Sequence, residues 1–202
     1  MVSFLEKSKA MAATPIPWIS PDEFLDYEES ADTKHMYYAG TAIAMAGGTL
    51  PHATLSGNLL GLLHAALRSR GCRVVGSDVL FQTGSQQMFT YPDVMVLCGP
   101  VITRPDRRHV VTNPVFVAEV LSPSTEAIDR GAKSREYRAS PSLRQYALLS
   151  QDKPLIEFHT RDVDGTWRIS EVEGLDADCE FSSLGCRVPM RSLYEAVLEE
   201  NQ

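Results

Sequence analysis

The chain has 202 residues, 44 % of them hydrophobic and 22 % charged, with a formal net charge of −7. That composition fits a globular domain with its own core, and no apolar run approaches the ~20 residues of a membrane span. No apolar block with a cleavage site follows Lys7 and Lys9, so a cytoplasmic protein without a secretory signal is expected; the acidic balance excludes attraction of nucleic acid by the overall field.

In chain order, residues 1–19 are expected to be a flexible tail and 20–202 a single domain. Ser20-Pro21-Asp22-Glu23 is a helix start, because Ser20 caps, Pro21 suits the first helical position and Glu23 completes a capping box. That helix should run to about Ser30. Met36 to Met45 reads as a hairpin turning near Ala39-Gly40, and Gly47 to His52 as a loop. Leu55, Leu59, Leu62, Leu63 and Ala66 recur on one face of a longer helix over 53–69. Arg73 to Phe81 reads as one strand, interrupted by Gly76 and carrying Asp78, and Tyr91 to Cys98 as another. A basic loop (Arg104, Arg107, Arg108, His109) then leads to a strand from Val115 to Leu121.

Ser124 or Thr125 can cap a helix over 126–139, which Ser140-Pro141 stops. A core-like strand from Gln145 to Leu149 is followed by a hairpin turning at Asp164-Gly165. An irregular acidic stretch precedes a last helix, whose capping box starts at Ser192 and ends at Glu195. The order implies an α/β fold with a mixed central β-sheet flanked by helices. Four scattered cysteines without a C-x-x-C pair read as buried thiols in a reducing compartment.

The charge is unevenly spread. Residues 101–144 carry eight basic and five acidic side chains, against five and twelve in residues 145–202. A polyanion would have to meet that central segment, with Arg104, Arg107 and Arg108 either contacting phosphates or forming an ordinary solvated loop.

Two acids stand out. Glu119 lies inside the apolar run Val115-Phe116-Val117-Ala118-Glu119-Val120-Leu121, where an ionised carboxylate needs a metal, a cation or several donors. Asp93 opens the strand before it, after Pro92. Carboxylates from two neighbouring strands can share a hard cation such as Mg²⁺, which takes one or two carboxylates plus waters and phosphate oxygens. The other reading pairs Glu119 with Lys133 or an arginine and leaves Asp93 merely starting its strand. Asp129, Lys133 and Tyr137 are spaced four apart and so share one helical face.

Pro92-Asp93-Val94, then Glu119-Val120-Leu121-Ser122-Pro123-Ser124-Thr125, Asp129, Lys133 and Tyr137 resemble the Uma2 family, also called DUF820. The resemblance extends to Met45-Ala46-Gly47-Gly48, His52, Gly76-Ser77-Asp78, Tyr146, Leu148 and Ser150, and covers Ser20 to Tyr194. It implies a restriction-endonuclease-like PD-(D/E)xK core and a Mg²⁺-dependent endonuclease acting on DNA, with Mn²⁺ as a possible substitute. Asp93, Glu119 and the carbonyl oxygen of Val120 would bind the metal and Lys133 would assist. His52, Asp78, Ser122, Asp129 and Tyr137 would line or support the cleft. A homodimer is expected from the fold's habit of cutting two strands, with Tyr37, Tyr38 and Met45 as apolar surface candidates.

Two departures bear on activity. The superfamily's E-x-K lysine is Leu121 here, an absence that Uma2 shares; Lys133 is either the migrated substitute or half of an ordinary Asp129–Lys133 pair on a surface helix. Where the family reads like K-H-E-Y-x-D-G, this chain has Lys34-His35-Met36-Tyr37-Tyr38-Ala39-Gly40. A thioether cannot ligate a hard cation or take a proton, so the alternative is a catalytically impaired relative that binds nucleic acid or a partner without cutting.

Overall fold

The computed structural model describes residues 16–198. Its first half holds β1 (Ile16–Pro17), α1 (Pro21–Ser30), β2 (His35–Tyr38), β3 (Thr41–Ala44), α2 (Leu50–Ala66), β4 (Cys72–Gly76), β5 (Leu80–Gln82), β6 (Met88–Thr90) and β7 (Val94–Cys98). Then come β8 (Thr103–Arg104), β9 (Arg107–Val111), β10 (Phe116–Leu121), α3 (Glu126–Ile128), a π-helical segment (Asp129–Lys133) and α4 (Ser134–Arg138). The last part is β11 (Gln145–Ser150), β12 (Leu155–Arg161), β13 (Trp167–Glu173), β14 (Asp178–Phe181), a 3₁₀ turn (Ser182–Leu184), β15 (Cys186–Pro189) and α5 (Met190–Leu193).

The strands form two mixed sheets and a small hairpin. One sheet has the order β13-β12-β11-β10-β7-β4, the other β1-β3-β2-β6-β5-β9-β8, and β14 pairs with β15. In the six-stranded sheet β10 runs parallel to β11 and antiparallel to β7. Apolar neighbours cover both its faces, which is why β10 reads as a nearly continuous apolar run. Leu55, Leu59 and Leu63 of α2 pack on the face that carries Phe116, Ala118 and Val120. Val117 and Leu121 point the other way, into a core shared with Tyr137, Tyr146, Leu148 and, from the second sheet, Phe81. Glu119 has the parity of Val117 and Leu121 and faces that second core. α1 covers the seven-stranded sheet through Phe24 and Leu25, beside Tyr37 and Phe89.

Several expectations are corrected. The strand read over 73–81 is two strands, one in each sheet, and Asp78 stands exposed in the turn between them. The basic loop is the β8–β9 hairpin, and the acidic stretch contains the β14–β15 hairpin. α2 starts at Leu50 and Thr49 caps it, its hydroxyl accepting the N–H of His52 at 3.2 Å, so His52 lies in the first turn and not in a loop.

No side chain caps α3. The helix read over 126–139 opens into a π turn where the Ser134 N–H reaches the carbonyl of Asp129, five residues back. The final helix begins at Met190 without a side-chain cap, and the Tyr194 hydroxyl instead donates to the carbonyls of Ser150 and Leu155. Cys72 and Cys98 are joined by a disulfide, because the β4–β7 register sets them directly opposite. Cys179 and Cys186 are free.

Tyr37 is buried and therefore not a surface candidate. Of the tail expected over 1–19, residues 1–15 lie outside the described residues, while Ile16 and Pro17 pair with Ala42 and Thr41. No helix among the described residues is long and apolar enough to cross a membrane.

Candidate active site

The β7–β10 ladder ends at Val94 and Ala118, so the last part of β10 has no strand partner on that side. Asp93, one residue before β7, fills the gap: its Oδ2 accepts the Val120 N–H at 2.7 Å. The Asp93 carboxylate thus touches the peptide that joins Glu119 to Val120. Its Oδ1 lies 3.1 Å from His52 Nε2, across from the first turn of α2. This contact is the main cause of a raised His52 pKa, partial burial opposing it. His52 Nδ1 is buried and unpartnered among the described residues. Gly48 makes room for the ring, since a Cβ there would come within 2.7 Å of His52 Cδ2.

Glu119 is 2 % exposed. Its Oε1 accepts the Tyr137 hydroxyl at 2.6 Å and lies 3.1 Å from Lys133 Nζ. The same Nζ is 2.8 Å from Asp129 Oδ1. Burial pushes the Glu119 carboxyl up to about 8; Lys133 and the Tyr137 hydrogen bond oppose the shift, while Asp93 and Asp129 add to it. Burial alone would depress the Lys133 ammonium, but Glu119 and Asp129 more than offset it and its pKa is raised. The Tyr137 phenol is raised by burial and by Glu119, and so stays a donor. Lys133 is therefore not part of a surface ion pair. Its ammonium bridges two buried acids.

The π turn brings Asp129 and Lys133 into this position, and the Tyr146 hydroxyl pins its backbone by donating to the Asp129 carbonyl at 3.2 Å. Such segments are rare and frequently sit at functional sites. Ser122 stands at the end of β10, its hydroxyl 3.1 Å from that of Ser124 and 3.0 Å from that of Thr125, and shapes the turn into α3.

A cleft of about 430 Å³ opens beside Asp93, walled by Lys34, Met45, His52, Ser56 and Ser77. Lys34, which the sequence shows only as part of a motif, donates to the Ser77 carbonyl at 2.9 Å and ion-pairs with Asp78. Asp78 reaches the cleft through that lysine. Arg104 pairs with Asp22 and Asp106, and Arg107 with Asp26 and Glu29, so α1 neutralises most of the basic hairpin. Arg108 has no ion pair among the described residues.

The donor set suits a hard cation with retained waters. Among the described residues no three His, Cys, Asp or Glu side chains are grouped as a metal cage. Asp93 and Glu119 offer two carboxylates, and a residue's N–H and C=O leave a strand on the same side. The Val120 carbonyl therefore points toward Asp93, as its N–H does. Burial disfavours the ionised Glu119, and a divalent cation beside it would favour that form by supplying the missing positive charge.

A family model named Uma2 and described as "Putative restriction endonuclease" matches residues 21–187. The uncharacterized protein slr1290 of Synechocystis sp. (strain ATCC 27184 / PCC 6803 / Kazusa) is 36 % identical over 187 residues, 92 % of this chain and 96 % of that protein. The uncharacterized protein sll1609 of the same strain is 33 % identical over 160 residues, 79 % and 90 % respectively. The fold matches the crystal structure of a "putative nuclease belonging to DUF820" from Anabaena variabilis ATCC 29413, with TM-score 0.74 and 15 % identity, covering 89 % of this chain and 99 % of that one.

Proposed function

The chain belongs to the Uma2 family, and from that premise we propose that it is a Mg²⁺-dependent nuclease hydrolysing phosphodiester bonds of DNA. Family and fold both support nuclease activity. The observation that carries the finer reading is the buried Glu119 held between Lys133 and Tyr137, with Asp93 bonded to the adjoining peptide.

Asp93, Glu119 and the Val120 carbonyl would hold the ion. A cation bound there supplies Lewis-acid polarisation of the phosphodiester and acidifies a bound water. His52 holds Asp93 by one oxygen while the Val120 amide holds the other, which fixes the carboxylate plane. Tyr137 fixes Glu119 in the same way. Lys133 provides a positive charge beside Glu119 to offset charge that develops on the transferred phosphoryl group.

The test is cleavage of plasmid and oligonucleotide DNA with Mg²⁺ or Mn²⁺, against an Asp93→Ala control and with RNA as a parallel substrate. Wild type should cut and the variant should lose most of its activity. Equal cleavage by both, or none under any condition, refutes the reading.

Met36 favours a second reading, a relative that binds nucleic acid without cutting. Strand alternation puts Met36 on the face of Tyr38, whose hydroxyl accepts from Arg135 of α4. A glutamate at 36 would therefore face the helix that follows Lys133. If Met36→Glu creates metal-dependent cleavage that wild type lacks, the natural chain is a decayed enzyme.

A further inference from the structure

In a chain of net charge −7, six of the fourteen arginines, Arg104, Arg107, Arg130, Arg168, Arg187 and Arg191, ion-pair with carboxylates. Arg135, Arg138, Arg144 and Arg161 have no such partner among the described residues; Arg138, Arg144 and Arg161 lie together, and Arg135, which donates to the Tyr38 hydroxyl, precedes Arg138 by about one turn of α4. Arg161 donates to the carbonyls of Arg138 at 2.7 Å and Ser140 at 3.0 Å, at the C-terminal end of α4. Its main-chain N–H donates to the Arg144 carbonyl at 2.8 Å, so the two arginines extend the β11–β12 ladder at one end. Trp167 is the next residue across the sheet, with the Arg161 guanidinium 4.8 Å from its ring.

Parity fixes the face. Arg144 alternates with Tyr146 and Leu148, and Arg161 with Glu157 and His159. That is the face onto which Glu119 and α4 project. The Glu119 row is Glu119–Leu148–Glu157, and Arg144 lies four residues along β11 from Leu148, about 13 Å. Arg68, Arg70 and Arg73 also lack acid partners among the described residues; Arg73 stands opposite Leu97 and so lies in the same cross-sheet row as Arg144, on the far side of β10.

Like charges gathered without acids, on a protein with acids to spare, await an anion from outside. Arg161 has its guanidinium depressed by burial and by Arg144, as expected of a charge crowded by another of its sign. We propose that Arg135, Arg138, Arg144 and Arg161, backed by Trp167, form a docking surface for the phosphate backbone of a nucleic acid on the sheet face that carries Glu119. This rests on the nuclease reading and names where its substrate lies. Arg161 shapes the surface through its bonds to the end of α4, and Arg138 and Arg144 are the residues that can be altered without cutting those bonds.

The experiment titrates a labelled DNA duplex and single strand with the full chain in EDTA, across a salt series, for wild type, Arg138→Glu/Arg144→Glu and a control with the same charge change, Arg168→Glu/Arg187→Glu, whose exposed side chains lie off that face. Thermal melting verifies that each is folded. The patch variant should bind at least about tenfold more weakly, and the slope of log K against log salt should fall by about one for each phosphate that is no longer neutralised. The control should stay close to wild type.

Equal weakening in both variants, or binding unchanged in the patch variant, overturns the proposal. So does Asp93-dependent cleavage whose KM is unmoved by Arg138→Glu/Arg144→Glu, and that outcome leaves the nuclease reading intact. Patch-dependent binding without any cleavage does the reverse.

Discussion

At the scale of single residues, the protonation of Glu119 sets a measurable property of the metal-free chain. Its folded pKa of about 8 stands above the ordinary 4.5, so between those values the folded chain holds a proton that the unfolded chain has released. The stabilising contribution is complete below about pH 4.5 and is lost as pH rises through 8. His52, raised by its bond to Asp93, acts in the same sense from its ordinary 6.5 upward. Melting temperatures in EDTA should therefore fall as pH rises across this window, and Glu119→Gln should flatten the fall. A wild-type profile that climbs over the same range contradicts the assignment. A cation that displaces this proton should bind more tightly as pH rises, and titration calorimetry at two pH values would detect it.

At the scale of elements, the β2–β3 hairpin explains one of the two departures from the family motif. Ala39 has φ 47° and Gly40 φ 91°, the left-handed pair of a two-residue type I′ turn. Asp-Gly and Asn-Gly suit that turn because Asp and Asn tolerate positive φ better than Ala does. The missing acid at 39 is thus a matter of turn chemistry. Ala39→Asn should stabilise the chain by about 0.5–1 kcal/mol in urea unfolding and leave any cleavage rate unchanged. A changed rate at equal stability would give position 39 a role in the chemistry. Met36 is a different case, since it is buried on the strand face toward α4.

At the scale of the whole molecule, the seven-stranded sheet must closely approach the chain that leaves α4, and Gly84, which follows β5, marks the meeting point. A Cβ there would fall 2.7 Å from both the Ala139 carbonyl oxygen and Ser140 Cα, and the Gly84 N–H donates to Ser140 Oγ at 2.8 Å. Gly84→Ala should cost about 1–3 kcal/mol in denaturant unfolding, because backbone must move to admit it. The two acids, the strands that carry them and the helix face of Asp129, Lys133 and Tyr137 are legible in the sequence, since alternation and four-residue spacing are local signals.

Other features are not legible there: that residues 72–82 leave one sheet for another, that Cys72 and Cys98 face each other, and that the helix at 129–133 opens into a π turn. Each of these depends on register or packing between distant segments. Lys34 escapes notice for the same reason, because its place on the cleft wall comes from a turn more than forty residues away.

The carboxylate of Asp93 does what a neighbouring strand would otherwise do for the Val120 amide. Truncating it to alanine strips away a charge and also unzips the rim of β10, so lost turnover in that variant mixes two effects. Asparagine keeps an oxygen for the amide while discarding the anion, and the contrast between the two replacements separates scaffold from chemistry at this position.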